Sequence, residues 1–360
     1  MGDTGSSPSA DADIDDLLGA DADDHSTQCE RRRRSIIVVQ IGVALVAFFV
    51  LVAVGFMWSV QNSLTSSVRT LPMDALDNLP SRPPQQIETA TGRAPATLLL
   101  LGSDRRNGID VGGGVTGQRA DAIMLVRFSA DRRRIDVLSI PRDAWVDIPG
   151  RGVGKINASF NEGAGPAVQT VEALTGIRVD HVIVIDFTGV RQLTTALGGV
   201  TVINEHGGVD PLTGMHFAAG PIVLSGDRAL TFLRWRYNLP GGDFGRMAHH
   251  QALVGAVAVQ LRRSIVVTNP VVLHDMVKII GSHLTVDAQL TREKMSELMT
   301  DVLTVPKEGV RFYIAPSVGF GRGPVGESYV ELDHAALRAA CAAIRDDQPV
   351  SLPPTPITLP

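Results

Sequence analysis

The residues best suited to chemistry in this sequence are acidic and arginine side chains next to short apolar runs. The runs are Thr97–Leu101, Ile123–Val126 and Ile135–Ile140, and each is rich in Leu, Ile or Val. The neighbouring chemical groups are Asp104 after the first run, Arg119 and Asp121 before the second, and Arg142 and Asp143 after the third. Two carboxylates among several guanidinium groups are typical of a divalent metal beside a polyanion such as a pyrophosphate. The pattern therefore predicts a metal and phosphate site, with Asp104 and Asp121 as the metal ligands.

Five arginines are candidate ligands of the anion, because a planar guanidinium group matches phosphate oxygens bidentately. They are Arg119, Arg142, Arg234, Arg236 and Arg246. Arg234 and Arg236 would share one side of an extended segment but would lie about 200° apart on a helix. We therefore expect the stretch around Trp235 to be the extended exit from a helix.

More ordinary interpretations of these residues remain open from the spacing alone. Asp104 could cap a turn, and Asp121 could simply pair with Arg119. A single arginine is most often a solvated surface charge. Five arginines at the ends of predicted elements are harder to explain in that way.

The apolar runs read as strands of a sheet that is covered on both faces, and predicted helices alternate with them. This alternation predicts a layered α/β fold, in which ligands bind at the ends of the strands. The further predicted strands are Ala144–Ile148, Asp180–Phe187, Val200–Ile203 and Val310–Ala315, with a hairpin or loop at Gly214–Val223. The predicted helices are Glu162–Leu174, Thr188–Leu197, Ser225–Tyr237, Met247–Arg263, Pro270–Ile280, Arg292–Val302 and Asp333–Ile344.

Several other classes of function are excluded by the residues present. There is no GxSxG nucleophile motif, no zinc spacing around His249 and His250, and no Gly-Lys-Ser/Thr after Gly112–Gly114. The histidine pair is expected on an ordinary helix surface. Residues 1–35 carry nine acidic residues and four arginines, which accounts for the whole formal net charge of −5. The rest of the chain is balanced, whereas a nucleic-acid-binding protein usually has a basic excess.

Residues 1–95 are predicted to precede the globular domain and to include a membrane anchor. Residues 1–35 are acidic and lack aromatic residues, so we expect a disordered cytoplasmic tail. Residues 36–58 contain no charge and are long enough for a transmembrane helix, since a bilayer needs about 20 apolar residues. The alternative, a buried core helix, lacks neighbouring helices to bury it. Residues 59–95 read as a linker, 96–345 as the catalytic domain and 346–360 as a Pro-rich tail.

An ordered set of short motifs resembles the LytR-CpsA-Psr family of cell-envelope proteins. The motifs are LLLGSD (99–104), RAD (119–121), SIPRD (139–143), KINA (155–158), LGGV (197–200), GDRAL (226–230), RWR (234–236) and DFGR (243–246). They cover about residues 96–260 in the family's order. The resemblance implies a central mixed β-sheet flanked by helices, preceded by one transmembrane helix.

The resemblance also implies an activity, which is transfer of a glycan phosphate from a polyprenyl-pyrophosphate carrier to peptidoglycan. Asp104 and Asp121 would hold Mg²⁺ or Mn²⁺ on the pyrophosphate, and the five arginines would bind its oxygens. Lys155 and Gln251 are implied as further substrate-binding residues. Asp104, Arg119, Asp121 and Arg142 would form the catalytic group. The expected partners are the lipid-linked glycan, peptidoglycan and membrane lipid, with no nucleic acid.

One departure from the family pattern lies near this site. Where the family usually has Arg-Gln-Gln after Arg246, this chain has His249-His250-Gln251. The base that takes the proton of the peptidoglycan hydroxyl is not evident, and Asp121 and Asp143 are both candidates. Two other functions would use the same residues: a pyrophosphatase with water as the acceptor, and a non-catalytic lipid-pyrophosphate binding or regulatory protein.

The predicted topology can be tested with reporter fusions. Arg31–Arg34 lie on one side of the apolar segment 36–58, which predicts a cytoplasmic N-terminus and an extracytoplasmic catalytic domain in a single-pass cell-membrane protein. A reporter that is active only outside the cytoplasm should therefore be active when fused after Val60. Activity of a cytoplasm-specific reporter at the same position would contradict this topology.

Overall fold

The computed structural model describes residues 69–71, 76, 79–86, 93–103, 120–267 and 283–360. The predictions for 1–35, 36–58, most of 59–95, Pro270–Ile280, Asp104 and Arg119 lie outside these residues. Within them, no helix has both the length and the apolar character needed to cross a bilayer.

The described strands and helices follow one another in the alternating order that the sequence predicts. The strands are β1 Arg69–Thr70, β2 Ala96–Ser103, β3 Ala120–Phe128, β4 Ile135–Ile140, β5 Trp145–Ile148, β6 Gly152–Lys155, β7 His181–Asp186, β8 Val200–Asn204, β9 Gly208–Val209, β10 His216–Phe217, β11 Gly220–Leu224, β12 Leu284–Val286, β13 Val310–Ile314, β14 Ser317–Arg322 and β15 Ser328–Leu332. The α-helices are α1 Ala164–Thr175, α2 Phe187–Ala196, α3 Gly226–Arg234, α4 Asp243–Val267, α5 Arg292–Thr304 and α6 His334–Arg345. Two 3₁₀ helices occupy Ile156–Glu162 and Lys307–Gly309.

Seven strands form the central sheet, in the order β1-β12-β7-β2-β3-β4-β13. The pairs β1–β12, β7–β2 and β4–β13 are parallel, and β12–β7, β2–β3 and β3–β4 are antiparallel. The sheet is therefore mixed, as predicted. Smaller two-stranded sheets pair β5 with β6, β8 with β11, β9 with β10 and β14 with β15.

The central strands are apolar on both faces because each face is covered. Along β2, Leu99 and Leu101 belong to one hydrophobic cluster, whereas Leu98 and Leu100 contact another. Helices α1 and α6 contribute to the first cluster, and α5 contributes to the second. This alternation follows from the period of two along a strand, and it confirms the prediction of a sheet buried on both sides.

Strand β3 runs in the opposite direction to its neighbours β2 and β4, which explains why the predicted site residues come after β2 and β4 but at the start of β3. Ser103 at the end of β2 pairs with Ala120 at the start of β3, and it also pairs with Asp186 at the end of β7. Ile123 in β3 pairs with Ile140, the last residue of β4. Since β3 runs against its neighbours, its first residues lie at the same edge of the sheet as the last residues of β2, β4 and β7.

The predicted strands and helices that fall within the described residues are present, with shifts of a few residues at their ends. The largest shift concerns α4, which begins at Asp243 rather than at Met247. Strand β12 and the hairpin β14–β15 were not predicted. Strand β12 has three residues, and β14 carries two glycines and no buried residue, so neither shows an apolar alternation.

The Pro-rich C-terminal segment packs against the domain. Ile357 and Leu359 contact the hydrophobic cluster that includes β13, and the Thr355 amide donates to the Phe312 carbonyl at 2.7 Å. A Cβ atom added at Gly255 in α4 would lie 2.3 Å from Leu359 Cδ2, so helix and tail approach closely. The exposed residue Thr358 lies between the two apolar contacts.

This packing predicts that the tail stabilises the domain. Replacing both Ile357 and Leu359 by Ala should lower the free energy of unfolding by about 2 kcal/mol, because each side chain loses part of its buried apolar surface. The exposed Thr358→Ala variant is the matched control and should change it by less than about 0.5 kcal/mol. Denaturant unfolding measures both, and equal stability of the double variant and the wild type would contradict the packing.

Candidate functional site

The turn after β4 carries two residues of the predicted site and is held by hydrogen bonds from both sides. The Asn157 amide donates to the Arg142 carbonyl at 3.1 Å, and the Val330 amide donates to the Asp143 carbonyl at 2.9 Å. The Ala144 amide donates to the Pro141 carbonyl at 2.9 Å and closes the turn. Arg142 and Asp143 therefore project from a backbone that two other elements and the turn's own hydrogen bond fix.

Two carboxylates and two cations form a connected group at this edge of the sheet. Arg142 Nη1 donates to Asp121 Oδ1, which joins the end of β4 to the start of β3. Arg142 Nε lies 3.7 Å from Asp143 Oδ2, and Lys155 Nζ lies 3.1 Å from Asp143 Oδ1. The side chains of Arg142 and Asp121 are 18% and 13% exposed, so the pair is screened from most of the solvent.

Helix α4 adds an arginine that is buried. Arg246 Nη2 lies 2.8 Å from Asp243 Oδ1 in the first turn of the helix, and Arg246 is 6% exposed. Within the described residues, the buried Nε atoms of Arg142 and Arg246 have no hydrogen-bond partner, and neither does Asp243 Oδ2. A buried donor without an acceptor costs about 1–3 kcal/mol, so an anion that accepts from these guanidinium groups would be stabilised here.

The charges of this group influence one another. Burial lowers the pKa of Arg246, and the nearby Arg142 and Arg236 lower it further, against the effect of Asp243 and Asp121. Burial would also lower the pKa of Arg142, but Asp121, Asp143 and Asp243 outweigh it and raise that pKa above its ordinary value. Both arginines remain charged at neutral pH because the ordinary pKa of a guanidinium group is so high.

A cavity of about 890 Å³ opens beside these residues. Arg142, Asp143 and Lys155 line one part of it. Arg236 lines another part, and its Nη2 donates to the Tyr237 hydroxyl at 2.6 Å. The arrangement can bind a phosphate-bearing ligand at the arginines while a second molecule reaches it through the open cavity.

The structure thus brings together five of the predicted site residues: Asp121, Arg142, Lys155, Arg236 and Arg246. Asp121 pairs with Arg142, and its predicted alternative partner Arg119 lies outside the described residues, as does Asp104. Arg234 has its guanidinium carbon 4.6 Å from the centre of the ring of Phe187, the residue that follows β7. Helix α3 ends at Arg234 and Trp235 is extended, which confirms the predicted helix exit.

Gln251 occupies a structural position within the described residues. Its Nε2 donates to Ser139 Oγ and to the Tyr313 carbonyl, both at 2.8 Å, and the residue is 0% exposed. These contacts join α4 to β4 and β13. Its Oε1 has no hydrogen-bond partner among the described residues, and its role as a substrate ligand stays a prediction.

The expectation that His249 and His250 lie on a helix surface is wrong. They are 8% and 4% exposed. His249 Nδ1 lies 3.2 Å from the Phe232 carbonyl, and His250 Nε2 lies 2.9 Å from the Leu233 carbonyl. Those carbonyls belong to the last turn of α3, where helix carbonyls lack partners in the helix itself. The histidines therefore tie α4 to the helix end that leads into Arg234 and Arg236.

Asp243 was quoted in a motif but was not predicted as a site residue. Its spacing from Arg246 was the available signal, because residues three apart on a helix face the same side. Trp145, Asn157 and Tyr329 also line the cavity. They come from separate elements, and no local pattern in the sequence connects them.

A mixed β-sheet covered by helices, with arginines and carboxylates at one edge, defines a layered α/β fold. The family model "LytR_cpsA_psr family" matches residues 64–345. The chain belongs to this family, as the motifs predicted.

Curated relatives carry one and the same functional name. A "Polyisoprenyl-teichoic acid--peptidoglycan teichoic acid transferase TagU" of Enterococcus faecalis is 30% identical over 232 residues, which cover 62% of this chain and 70% of the relative. A protein of the same name from Oceanobacillus iheyensis is 30% identical over 270 residues, which cover 72% of this chain and 79% of the relative.

Solved structures share the fold. Bacillus subtilis TagV superposes with a TM-score of 0.58 at 21% identity, over 71% of this chain and 98% of TagV. The structure "TagT bound to LI-WTA" gives a TM-score of 0.59 at 24% identity, over 75% of this chain and 97% of TagT. At these identities the likeness establishes the fold alone.

The buried histidines predict a particular sensitivity to acid. Burial lowers the pKa of His249 to about 4 and that of His250, with Arg246 nearby, to about 3. In the unfolded chain both would titrate near pH 6.5, so the unfolded state gains protons first as the pH falls. The free energy of unfolding should be greatest above about pH 6.5 and should drop by about 3–4 kcal/mol between pH 7 and pH 5 because of these two residues.

Denaturant unfolding at several pH values measures this dependence. In the double variant His249→Gln, His250→Gln, the amide nitrogens still donate to carbonyls but cannot be protonated, so most of the loss between pH 7 and pH 5 should disappear. The variant His216→Gln, at an exposed histidine, is the control and should keep the wild-type dependence. An unchanged dependence in the double variant would contradict the assignment.

Proposed function

We propose that this protein is a membrane-anchored phosphotransferase that moves a glycan phosphate from a polyprenyl-pyrophosphate carrier onto peptidoglycan. The observation that carries the proposal is the largely shielded Arg142 and the buried Arg246 beside an open cavity, whose Nε atoms have no hydrogen-bond partner among the described residues. Membership of the family and the shared name of the curated relatives support the choice of reaction. The site supplies charge for a diphosphate and space for an acceptor.

The reaction needs little covalent chemistry from the protein. A peptidoglycan hydroxyl oxygen forms a bond to the phosphorus that carries the glycan, and the bond from that phosphorus to the bridging oxygen breaks. Polyprenyl phosphate leaves with the bridging oxygen. Catalysis of such a transfer depends on alignment of the reactants and on neutralising the charge that develops on the leaving group. Arg142 and Arg246 are placed to do both.

The proton of the acceptor hydroxyl requires a base. Asp143 lines the cavity and is 25% exposed, whereas Asp121 is bound by Arg142 and does not line the cavity. Because a base must lie within hydrogen-bond reach of the hydroxyl, Asp143 is the better placed of the two. The ion pairs from Arg142 and Lys155 hold its carboxylate in position.

The donor set at the sheet edge fits a magnesium ion. The Asp121 carboxylate and the Ser103 hydroxyl lie on neighbouring strands, and the buried Ser103 Oγ has no hydrogen-bond partner among the described residues. Oxygen donors of this kind suit Mg²⁺, which takes one or two carboxylates together with phosphate oxygens. Asp121 and Asp104 would hold the ion, which when bound would neutralise charge on the diphosphate.

The membrane part of the proposal rests on the sequence. The apolar segment 36–58 would anchor the protein beside its lipid-linked substrate, with the catalytic domain outside the cytoplasm. A carrier whose lipid tail stays in the bilayer would then need only to present its diphosphate to the arginines. Apolar side chains of the sheet and its flanking helices would receive the part of the lipid nearest to the diphosphate.

The function is tested by incubating the full chain, in detergent, with a polyprenyl-pyrophosphate-linked glycan, a peptidoglycan oligomer and Mg²⁺. Mass spectrometry should detect a product in which the oligomer carries the glycan phosphate. Release of free glycan phosphate, with unmodified oligomer, would identify a pyrophosphatase instead. Binding of the carrier without any product would identify a non-catalytic lipid-pyrophosphate binding protein.

The metal assignment makes a separate prediction. Asp104→Ala and Asp121→Ala should each lower turnover at subsaturating Mg²⁺ by at least about tenfold, because a lost charge-assisted contact is worth roughly 1.5–3 kcal/mol. Raising the Mg²⁺ concentration should restore part of the loss. Asp227→Ala removes an exposed carboxylate elsewhere and serves as the control. Equal metal dependence in wild type and both variants would refute the two ligands.

A further inference from the structure

The cavity beside Arg142, which we call the aromatic cleft, has an aromatic wall that the phosphate chemistry does not use. Trp145 from β5 and Tyr329 from β15 stack with their ring centres 4.6 Å apart and their planes 19° from parallel. Both rings line the cleft. They extend the site away from the arginines and onto the small hairpins β5–β6 and β14–β15.

The Tyr329 ring is held in place before any ligand binds. Gly321 is opposite Tyr329 in the β14–β15 pairing, and a Cβ atom there would lie 2.2 Å from the ring. The ring therefore lies across the glycine and is fixed between it and Trp145. An aromatic surface that is fixed in advance loses little conformational entropy on binding.

Two more aromatic side chains at the cleft are exposed to solvent. Phe320 is 67% exposed and Tyr237 is 44% exposed. Polar groups lie among them: Asn157, Glu327, and Asn161, whose buried Oδ1 has no hydrogen-bond partner in the described part of the chain. Aromatic faces combined with amide and carboxylate groups match a sugar ring, which offers apolar C–H faces and hydroxyl donors.

The charge of the cleft distinguishes between possible saccharides. Arg142, Lys155 and Arg236 are balanced by three carboxylates that also line it, which are Asp143, Asp243 and Glu327. A polyanionic glycopolymer gains little from such a balance, whereas uncharged sugar rings need only hydrogen bonds and stacking. The cavity volume of about 890 Å³ also lies within the range of ligand sites.

From these observations we infer that the aromatic cleft binds the glycan strand of peptidoglycan, the acceptor of the reaction. Trp145 and Phe320 are its aromatic contacts, and Tyr329 packs between Gly321 and Trp145 and holds the Trp145 ring in place. The inference rests on the proposed function for the identity of the acceptor. It places a sugar hydroxyl next to Asp143, at the point where the cleft meets the arginines. The hairpin β14–β15 is then the element that selects the acceptor.

The test measures binding of a soluble peptidoglycan tetrasaccharide to the full chain by titration calorimetry, without any donor. Tyr329→Ala and Phe320→Ala should each weaken saccharide binding about three- to tenfold, the amount expected for one lost aromatic contact. Tyr329→Phe keeps the ring and should bind within about twofold of wild type. Val318→Ala is the matched control, because Val318 lies on the same hairpin, is 65% exposed and does not line the cleft.

A second titration, with a polyprenyl-pyrophosphate glycan, separates the two substrates. The inference requires unchanged donor affinity in Tyr329→Ala and Phe320→Ala. If these variants weaken donor binding, the cleft belongs to the donor glycan and the inference is overturned. The inference is also overturned if all variants bind the saccharide equally well, or if the wild type does not bind it. Ring-dependent saccharide binding without a transfer product would support the cleft and count against the proposed reaction.

Discussion

The ion pair between Arg142 and Asp121 is the interaction on which the proposed site depends. It joins the turn after β4 to the first residues of β3, and both side chains are largely shielded from solvent. A buried charge pair is a weak source of stability, because removing two ions from water costs much of what their attraction returns. The pair lies at the edge of the sheet, and among the described residues the Nε of Arg142 has no hydrogen-bond partner, so a ligand there would complete its hydrogen bonding.

The rest of the domain holds this pair and its neighbours in place. The backbone around Arg142 is fixed by amides from Asn157 and Val330. Helix α4 presents Arg246, and the triplet that follows it, His249-His250-Gln251, ties the helix to α3 and to the sheet. His249, the first residue of this triplet, is neutral and stacks on the Phe232 ring with the ring centres 3.9 Å apart. Among the described residues, the cationic charge at the site comes from Arg142, Lys155, Arg236 and Arg246.

Much of the fold was predictable because strands that are buried on both faces have a recognisable apolar pattern in the sequence. Strands β2, β3 and β4 appear as continuous apolar runs, and their flanking charges identified Asp121 and Arg142. Arg246 was predicted as a site residue because it is the arginine of the short DFGR motif at 243–246. The hairpin β14–β15 could not be found in this way, since Gly319 and Gly321 break its pattern and its other side chains alternate weakly.

The burial of His249 and His250, which the sequence did not predict, and the contacts of Gln251 have a common physical origin. His249, His250 and Gln251 lie on a helix whose many small apolar residues give no clear polar face, so the sequence does not show which side meets a neighbour. Their partners are backbone carbonyls and one hydroxyl from distant elements, which no local spacing can reveal. Asp104, Arg119 and the apolar segment 36–58 lie outside the described residues, and their expected roles stay predictions.

The most direct test of the central claim is the affinity for a polyprenyl-pyrophosphate analogue of wild type and Arg142→Lys, measured at two salt concentrations. A bidentate contact to phosphate should be lost with lysine, weakening binding about tenfold to a hundredfold at both salt concentrations. Arg191→Lys, at a half-exposed surface arginine, should be silent. Equal affinities of wild type and Arg142→Lys, with binding that simply declines in salt, would mean that Arg142 belongs to a solvated surface patch and would contradict the account.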